Sequence, residues 1–253
     1  MSPHEGGRNR HRIAGRPVEC PVLSSRQVRD GIPIHPDLAL VFDMDGVLIH
    51  STPVHNEAWQ TYLRRHGMEC DPHSIEVSML GKHNADIVRI FFGHGLPEAD
   101  VARHGARKEE IYRRLMGPRL RGRLVPGVVD FLSRLAGAAL GLATNAEPEN
   151  VAFVLDGAGL RNCFQAVVAG HDVARPKPDP EIYLRVAALL GRDARNCIVF
   201  EDSMTGVAAA RAAGARVVGV TTTTARLSGC DLVVADFLDA RLPPWLGHCA
   251  PEV

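Results

Sequence analysis

No apolar run in this chain approaches the roughly 20 residues that a membrane-crossing helix requires, and no continuous apolar segment of the secretory kind opens it. The expected location is therefore the cytoplasm. Net charge is missing too: 29 basic residues balance 29 acidic ones, so no global basic field draws in nucleic acid or an anionic membrane. The six cysteines, Cys20, Cys70, Cys163, Cys197, Cys230 and Cys249, show no Cys-x-x-Cys spacing, which argues against a zinc site or a disulfide framework and for reduced thiols. Nor do the twelve histidines contain the His-Glu-x-x-His pair of zinc hydrolases. What remains is ordinary for a globular protein. With 45% hydrophobic and 23% charged residues, 253 positions suffice for one substantial core and a smaller satellite.

Against that background Leu38 to Leu48 stands out, because an apolar stretch runs into two carboxylates one residue apart and then glycine. An unbroken apolar run reads as a buried strand of a parallel sheet, and ligands of open α/β sheets bind beyond the carboxyl ends of such strands. Asp43 and Asp45 share a face if the extended geometry persists past the strand. Two close anions repel unless a cation lies between them, and magnesium suits one or two carboxylates plus phosphate oxygens. The competing reading is a strand followed by an ordinary Asp-Gly turn.

Three further polar clusters occur in matching contexts. Thr144-Asn145 follows the apolar Ala138 to Ala143; Lys177 lies between prolines before the amphipathic Glu181 to Leu190; Glu201-Asp202-Ser203 ends Cys197 to Phe200 and precedes the helix-like Thr205 to Ala213. Taken in order, Asp43-Met44-Asp45-Gly46-Val47-Leu48, Thr144-Asn145, Lys177-Pro178-Asp179-Pro180 and Phe200-Glu201-Asp202-Ser203-Met204-Thr205-Gly206 resemble the four motifs of the haloacid dehalogenase superfamily. The likeness spans about Leu38 to Phe237 and points to the β-phosphoglucomutase-like and sugar-phosphatase branch. True dehalogenases need neither a second aspartate nor a metal, whereas Asp45 is present here.

The fold implied is α/β, a doubly wound parallel (Rossmann-like) sheet with an inserted α-helical cap. Residues 1–36, rich in Gly, Arg, Pro and Ser, read as a flexible leader. Residues 37–53 and 126–245 form the discontinuous catalytic core, 54–125 the helical cap and 246–253 a tail. Within the cap, helical spacing covers Val54 to His66, Ala85 to Phe92 and Val101 to Met116. Core strands are expected at 138–143, 166–169, 197–200, 216–220 and 232–234.

The resemblance implies that Asp43 is a nucleophile forming an aspartyl-phosphate, with Mg2+ held by Asp43, the backbone carbonyl of Asp45 and Asp202. Glu201 ligates directly or orients that shell. Asp45 serves as general acid and then base; Thr144, Lys177 and, more weakly, Asn145 stabilise the phosphoryl oxygens. The bland alternatives are helix caps for Thr144, Glu201 and Asp202. His55, Trp59 and Lys108 resemble cap residues of the mutase branch, which also clamps a second phosphate with a basic residue before glycine and an arginine three positions after it. Here Leu80 precedes Gly81 and Asn84 replaces the arginine, while Lys82 supplies one charge and no bidentate fork. His50 stands where that branch commonly has Asp, near the expected hinge between core and cap.

The expected function is hydrolysis of a small phosphate monoester, phosphosugar or phosphoglycolate-like. The alternatives are a β-phosphoglucomutase-type mutase and a phosphometabolite-binding regulator, the latter disfavoured because every catalytic group is retained. A phosphonate hydrolase is disfavoured by Asp45. The expected partner is a small phosphorylated metabolite; the oligomeric state is open, and a monomer is compatible with the rest.

Overall fold

The computed structural model describes residues 31–79, 84–135 and 137–252. Six parallel strands form one sheet: β1 (Ala39–Phe42), β2 (Ala139–Ala143), β3 (Ala166–Val168), β4 (Cys197–Glu201), β5 (Arg216–Val220) and β6 (Leu232–Val234). Their order is β3-β2-β1-β4-β5-β6, with Ala39 of β1 level with Ala139 on one side and Cys197 on the other. The chain lays strands outward from β1 to β3, then returns to β4 and proceeds the opposite way. Such a reversal opens a crevice beyond the carboxyl ends of the two central strands. The doubly wound parallel sheet expected from the sequence is the observed fold.

Strand β1 reads as unbroken apolar sequence because both its faces are covered. Leu40 and Phe42 join one buried cluster, Ala39 and Val41 the other. Phe42 stacks on Phe200 at 4.5 Å between ring centroids, and Phe131, Phe164 and Phe237 surround the pair. Burying rings of this size contributes roughly 2–3 kcal/mol each, which pins the tips of β1 and β4 just where the carboxylates begin.

Four helices follow β1: α1 (Thr52–Arg65), α2 (Pro72–Met79), α3 (Asn84–Phe92) and α4 (Glu98–Met116). A 3-10 segment at Gly117–Arg123 and α5 (Val128–Arg134) then lead to β2. Helices α6 (Pro148–Ala158), α7 (Glu181–Leu189) and α8 (Met204–Ala212) connect later strands, and α9 (Leu242–His248) closes the chain against the core. In α4 the buried positions Val101, Gly105, Lys108, Tyr112 and Met116 recur at helical spacing, so two of its neighbours in a charged run, Lys108 and Glu109, are carried inward. Acidic residues in its first turn and arginines in its last complement the helix dipole. The two connections between the sheet and helices α1–α4 run side by side, His50 N donating to Arg123 O at 2.7 Å and Val125 N to Leu48 O at 3.0 Å.

Helix α2 was not expected, since its eight residues carry too few apolar positions to show a period; Ile75 is the buried one among its described side chains. Helix α9 was not expected either; Pro243 and Pro244 fall in its first turn, where proline is tolerated because its missing N–H has no intrahelical partner. Leu246, placed in the expected tail, is buried in the core. Of the expected leader, residues 1–30 lie outside the described residues; Ile32 is buried and its N–H donates to Arg134 O at 3.0 Å, so the packed core reaches back to it. No helix among the described residues is long and apolar enough to cross a membrane.

Candidate active site

Asp43 follows β1 directly, and its N–H donates to Phe200 O at 3.0 Å, prolonging the β1–β4 ladder by one residue. Strand alternation puts Asp43 on the face of Ala39 and Val41, and Glu201 on that of Cys197 and Val199, so both carboxylates fall on the side covered by α7. With Asp202 they form a buried trio whose nearest oxygens all lie within 4.8 Å of one another. Lys177 enters from the β3–α7 loop, its Nζ donating to Asp43 Oδ1 at 2.8 Å, Glu201 Oε1 at 2.6 Å and Ala143 O at 3.0 Å. Tyr183 O–H donates to the same Glu201 oxygen at 2.5 Å. The other, Oε2, accepts from Asp202 N, Ser203 N and Ser203 Oγ. Ser203 also caps α8 by accepting from Gly206 N at 3.1 Å, so neither Glu201 nor Asp202 is needed for that.

Three carboxylates here face one ammonium. Burial pushes the Asp43 carboxyl up, Lys177 opposes it, and Glu201 and Asp45 add to the rise, leaving it at about 7. Burial, then Glu201 and Asp43, drive Asp202 well above the usual carboxylate range. Burial works against the Lys177 charge, but Asp43 and Glu201 overcome it and hold the ammonium protonated. An all-oxygen donor set with surplus buried negative charge fits a hard divalent cation.

Two glycines make room for this cluster. A Cβ on Gly206 would fall on the Glu201 carboxylate, and one on Gly46, at φ 75°, would fall on that of Asp202. Gly46→Ala combines left-handed strain with overpacking, together worth about 2–4 kcal/mol. We expect its thermal midpoint to drop by about 5–10 °C, read from calorimetric melts beside the wild type. An unchanged midpoint would mean that Asp202 has room to move aside.

Asp45 does not continue the strand. The chain bends at Met44 and turns at Gly46, so the shared-face expectation for Asp43 and Asp45, which depended on persistent extension, is replaced by a division of labour. Asp43 stays on the floor, and Asp45 lines a cavity of about 540 Å³ between the strand tips and helices α1, α3 and α4. His55 Nε2 lies 3.9 Å from Asp45 Oδ1, and His55 Nδ1 lies 2.9 Å from Lys108 Nζ. An ammonium only donates, so Nδ1 accepts and the ring proton sits on Nε2, toward Asp45. The His55 ring stacks on Tyr112 at 3.8 Å.

Thr144 is buried beyond β2, with its Oγ accepting from Ala146 N at 3.2 Å. Asn145 Oδ1 accepts from Lys177 N at 3.4 Å, tying the lysine loop to the β2 tip. Asn84 and Lys108 line the cavity, while Lys82 lies outside the described residues. Sequence reasoning gave no role to Ser51, Glu109, Asn150 or Thr223, which line the cavity, or to Tyr183, which donates to Glu201. The helical stripe through Lys108 was the available signal for Glu109; Tyr183 reads as a core aromatic of α7.

Comparison with known proteins finds relatives over most of the chain. The model of the haloacid dehalogenase-like hydrolases matches residues 38–214. Protein CbbY of Rhodobacter capsulatus is 32% identical over 225 residues, covering 85% of this chain and 98% of that one. Fructose-1-phosphate phosphatase YqaB of Escherichia coli is 31% identical, covering 72% of this chain and 95% of its own. Among solved structures, β-phosphoglucomutase of Clostridium difficile superposes with a TM-score of 0.71 at 24% identity, over 82% of this chain and 94% of that one, and shares the fold. The buried acidic trio, its lysine and the sheet that carries them thus belong to a member of the haloacid dehalogenase-like hydrolase family.

Proposed function

We propose that this protein is a Mg2+-dependent phosphatase that hydrolyses a small phosphate monoester, of the phosphosugar or phosphoglycolate kind, through an aspartyl-phosphate on Asp43. The observation carrying the reading is the buried Asp43–Glu201–Asp202 trio balanced by Lys177, with Asp45 alone of the acidic motif groups facing the cavity. Named phosphatases among the relatives support the reaction class. Helices α1–α4 would act as the cap, within 54–125, over a core of 37–53 and 126–245.

Asp43, Asp202 and the backbone carbonyl of Asp45 would hold the cation, which supplies charge neutralisation for the phosphoryl oxygens. Glu201 has both oxygens occupied by protein donors and acts as the anchor of Lys177. A carboxylate oxygen of Asp43 attacks phosphorus in line as the bond to the leaving oxygen breaks. Asp45 donates its proton to that oxygen, and its carboxylate then takes a proton from water as the water attacks phosphorus and releases Asp43. Thr144 bonds a non-bridging oxygen, while Lys177, whose three N–H groups are committed to Asp43, Glu201 and Ala143 O, balances the charge of the nucleophile and the phosphoryl group. His55 Nε2 faces Asp45 Oδ1 across 3.9 Å, a gap it would have to close before it could donate to that oxygen.

Phosphate release from a panel of phosphorylated metabolites with Mg2+ tests the reading, alongside conversion of β-glucose 1-phosphate to glucose 6-phosphate. Release without isomerisation supports the phosphatase, isomerisation without release a mutase, and neither a binding role.

The cation also has a stability signature. A carboxyl raised from 3.8 to about 7 in the folded state stabilises fully below its unfolded value, and that contribution is lost as pH rises through about 7. In chelator, the melting midpoint should therefore fall between pH 5.5 and 8, by roughly 2–4 °C for each kcal/mol lost. Mg2+ should restore more of it at pH 8 than at pH 5.5. Equal stabilisation at both would detach the cation from Asp43.

A further inference from the structure

Asp45 serves both proposed chemical steps, yet its Oδ1 makes no hydrogen bond among the described residues, and His55 Nε2 stands 3.9 Å away. The backbone turn that carries Asp45, rather than a side-chain partner, therefore places that oxygen. This turn is closed on itself: the N–H groups of Val47, Leu48 and Ile49 donate to Met44 O at 2.9–3.3 Å, and Gly46 N donates to Ile49 O at 2.8 Å. Such closure fixes its shape but not where its tip stands over the site. Its two ends are tied to β4 through Asp43 N and to the segment returning from α4 through Leu48 O, which accepts from Val125 N. At the tip, the Thr222 hydroxyl donates to Gly46 O.

Thr222 is well placed to act as a fixed point. It lies just past β5, where Thr222 N donates to Val220 O at 2.9 Å and Thr221 N to Val234 O at 3.0 Å. Strand β4 lies between β1 and β5, so the turn reaches over the tip of β4 to meet this hydroxyl. The surroundings of Gly46 agree, since a Cβ there would fall on the Asp202 carboxylate and 2.8 Å from Thr223 Oγ1. Thr223 and Thr224 line the cavity and Thr222 does not, so Thr222 acts on a bound substrate only through the turn. Asp43 is held separately, by Phe200 O on its N–H and by Lys177 on its carboxylate.

We propose that Thr222 is a positioning residue whose hydroxyl holds the Gly46 tip so that Asp45 meets first the leaving oxygen and then the attacking water, while Asp43 keeps its place without it. The proposal rests on the phosphatase reading and adds a residue to its acid–base steps. As an Asp43 oxygen bonds to phosphorus, the bond to the leaving oxygen breaks and that oxygen takes the Asp45 proton; p-nitrophenolate departs as a stable anion without one. A displacement of about 1 Å costs a positioned step on the order of 10²-fold.

The test compares p-nitrophenyl phosphate with benzyl phosphate, whose leaving alkoxide needs the proton, in the full chain at saturating Mg2+, because the Asp45 carbonyl rides on the same turn. Thr222→Val keeps the shape and removes the donor. It should lower kcat/KM for benzyl phosphate by about 30-fold and for p-nitrophenyl phosphate by less than about threefold. Attack by water still needs Asp45, so this variant should release a burst of about one p-nitrophenolate per chain as the aspartyl-phosphate accumulates. Thr222→Ser retains the hydroxyl and should stay within about threefold of wild type on both esters. Equal losses on the two esters would make Thr222 a structural residue of the β5–β6 loop and overturn the proposal. So would a serine variant as impaired as the valine one, or a valine variant unimpaired on benzyl phosphate. If Thr222→Val does not fold, Thr222→Ala is read by the same criteria. A wild type that turns over neither ester overturns the phosphatase reading, and amide hydrogen exchange then decides the tether. Exchange at Val47, Leu48 and Ile49 faster by about tenfold in Thr222→Val supports it, and unchanged exchange overturns it.

Discussion

Asp43→Asn is expected to lower phosphate release by at least about 10⁴-fold, the scale on which removing a catalytic nucleophile acts, while leaving the protein folded. The trio's geometry singles out this carboxylate. Glu201 is fully buried, with both oxygens accepting from lysine, tyrosine, serine and backbone donors, so attack would require breaking that shell. Asp43 accepts through Oδ1 from Lys177 and stands at the strand tip nearest the turn that carries Asp45. Asparagine keeps its shape and loses its charge, and Lys177 retains Glu201 and Ala143 O as acceptors. Because burial and like charges disfavour ionised Asp43, the variant's melting midpoint in chelator at pH 8 should equal or exceed that of the wild type. Activity within about tenfold of wild type would transfer the attack to another group, water included. A lowered midpoint would instead make Asp43 a structural partner of Lys177.

What could be read from the chain was what local pattern encodes. Strands β1 and β4 were legible because both faces are buried, and the polar clusters at their ends because short polar groups interrupt apolar runs there. The order of four clusters along the chain carried the family. Less accessible was anything set by packing between distant segments. The Arg107-Lys108-Glu109-Glu110 run looks like a solvated helix face, and only the stripe from Val101 to Met116 turns two of its four charges inward. Gly206 reads as a close-packing glycine; that it seats the Glu201 carboxylate depends on where β4 ends relative to α8. The different fates of Asp43 and Asp45 hang on a bend at Met44 that strand periodicity does not foresee.

Lys177 offers the second large effect, because it is the counter-charge that lets three buried carboxylates coexist. Lys177→Met keeps the stem and removes the ammonium, leaving Asp43 and Glu201 without their shared cation; breaking a buried pair in this way costs about 3–5 kcal/mol. The expected readings are a melting midpoint lower by about 6–20 °C and turnover reduced by at least about 10³-fold, with Mg2+ recovering part of the stability and little of the rate. Lys177→Arg should fail nearly as badly. The three acceptors of Nζ lie on separate segments, β1, β2 and β4, and converge on one point within 2.6–3.0 Å. A compact ammonium with three donors meets that arrangement, whereas a planar guanidinium needs a wider, flat set of acceptors. Full activity in the arginine variant would show that only the charge matters, and a methionine variant as stable as wild type would mean that protons, taken up by Asp43 and Asp202, replace the lysine.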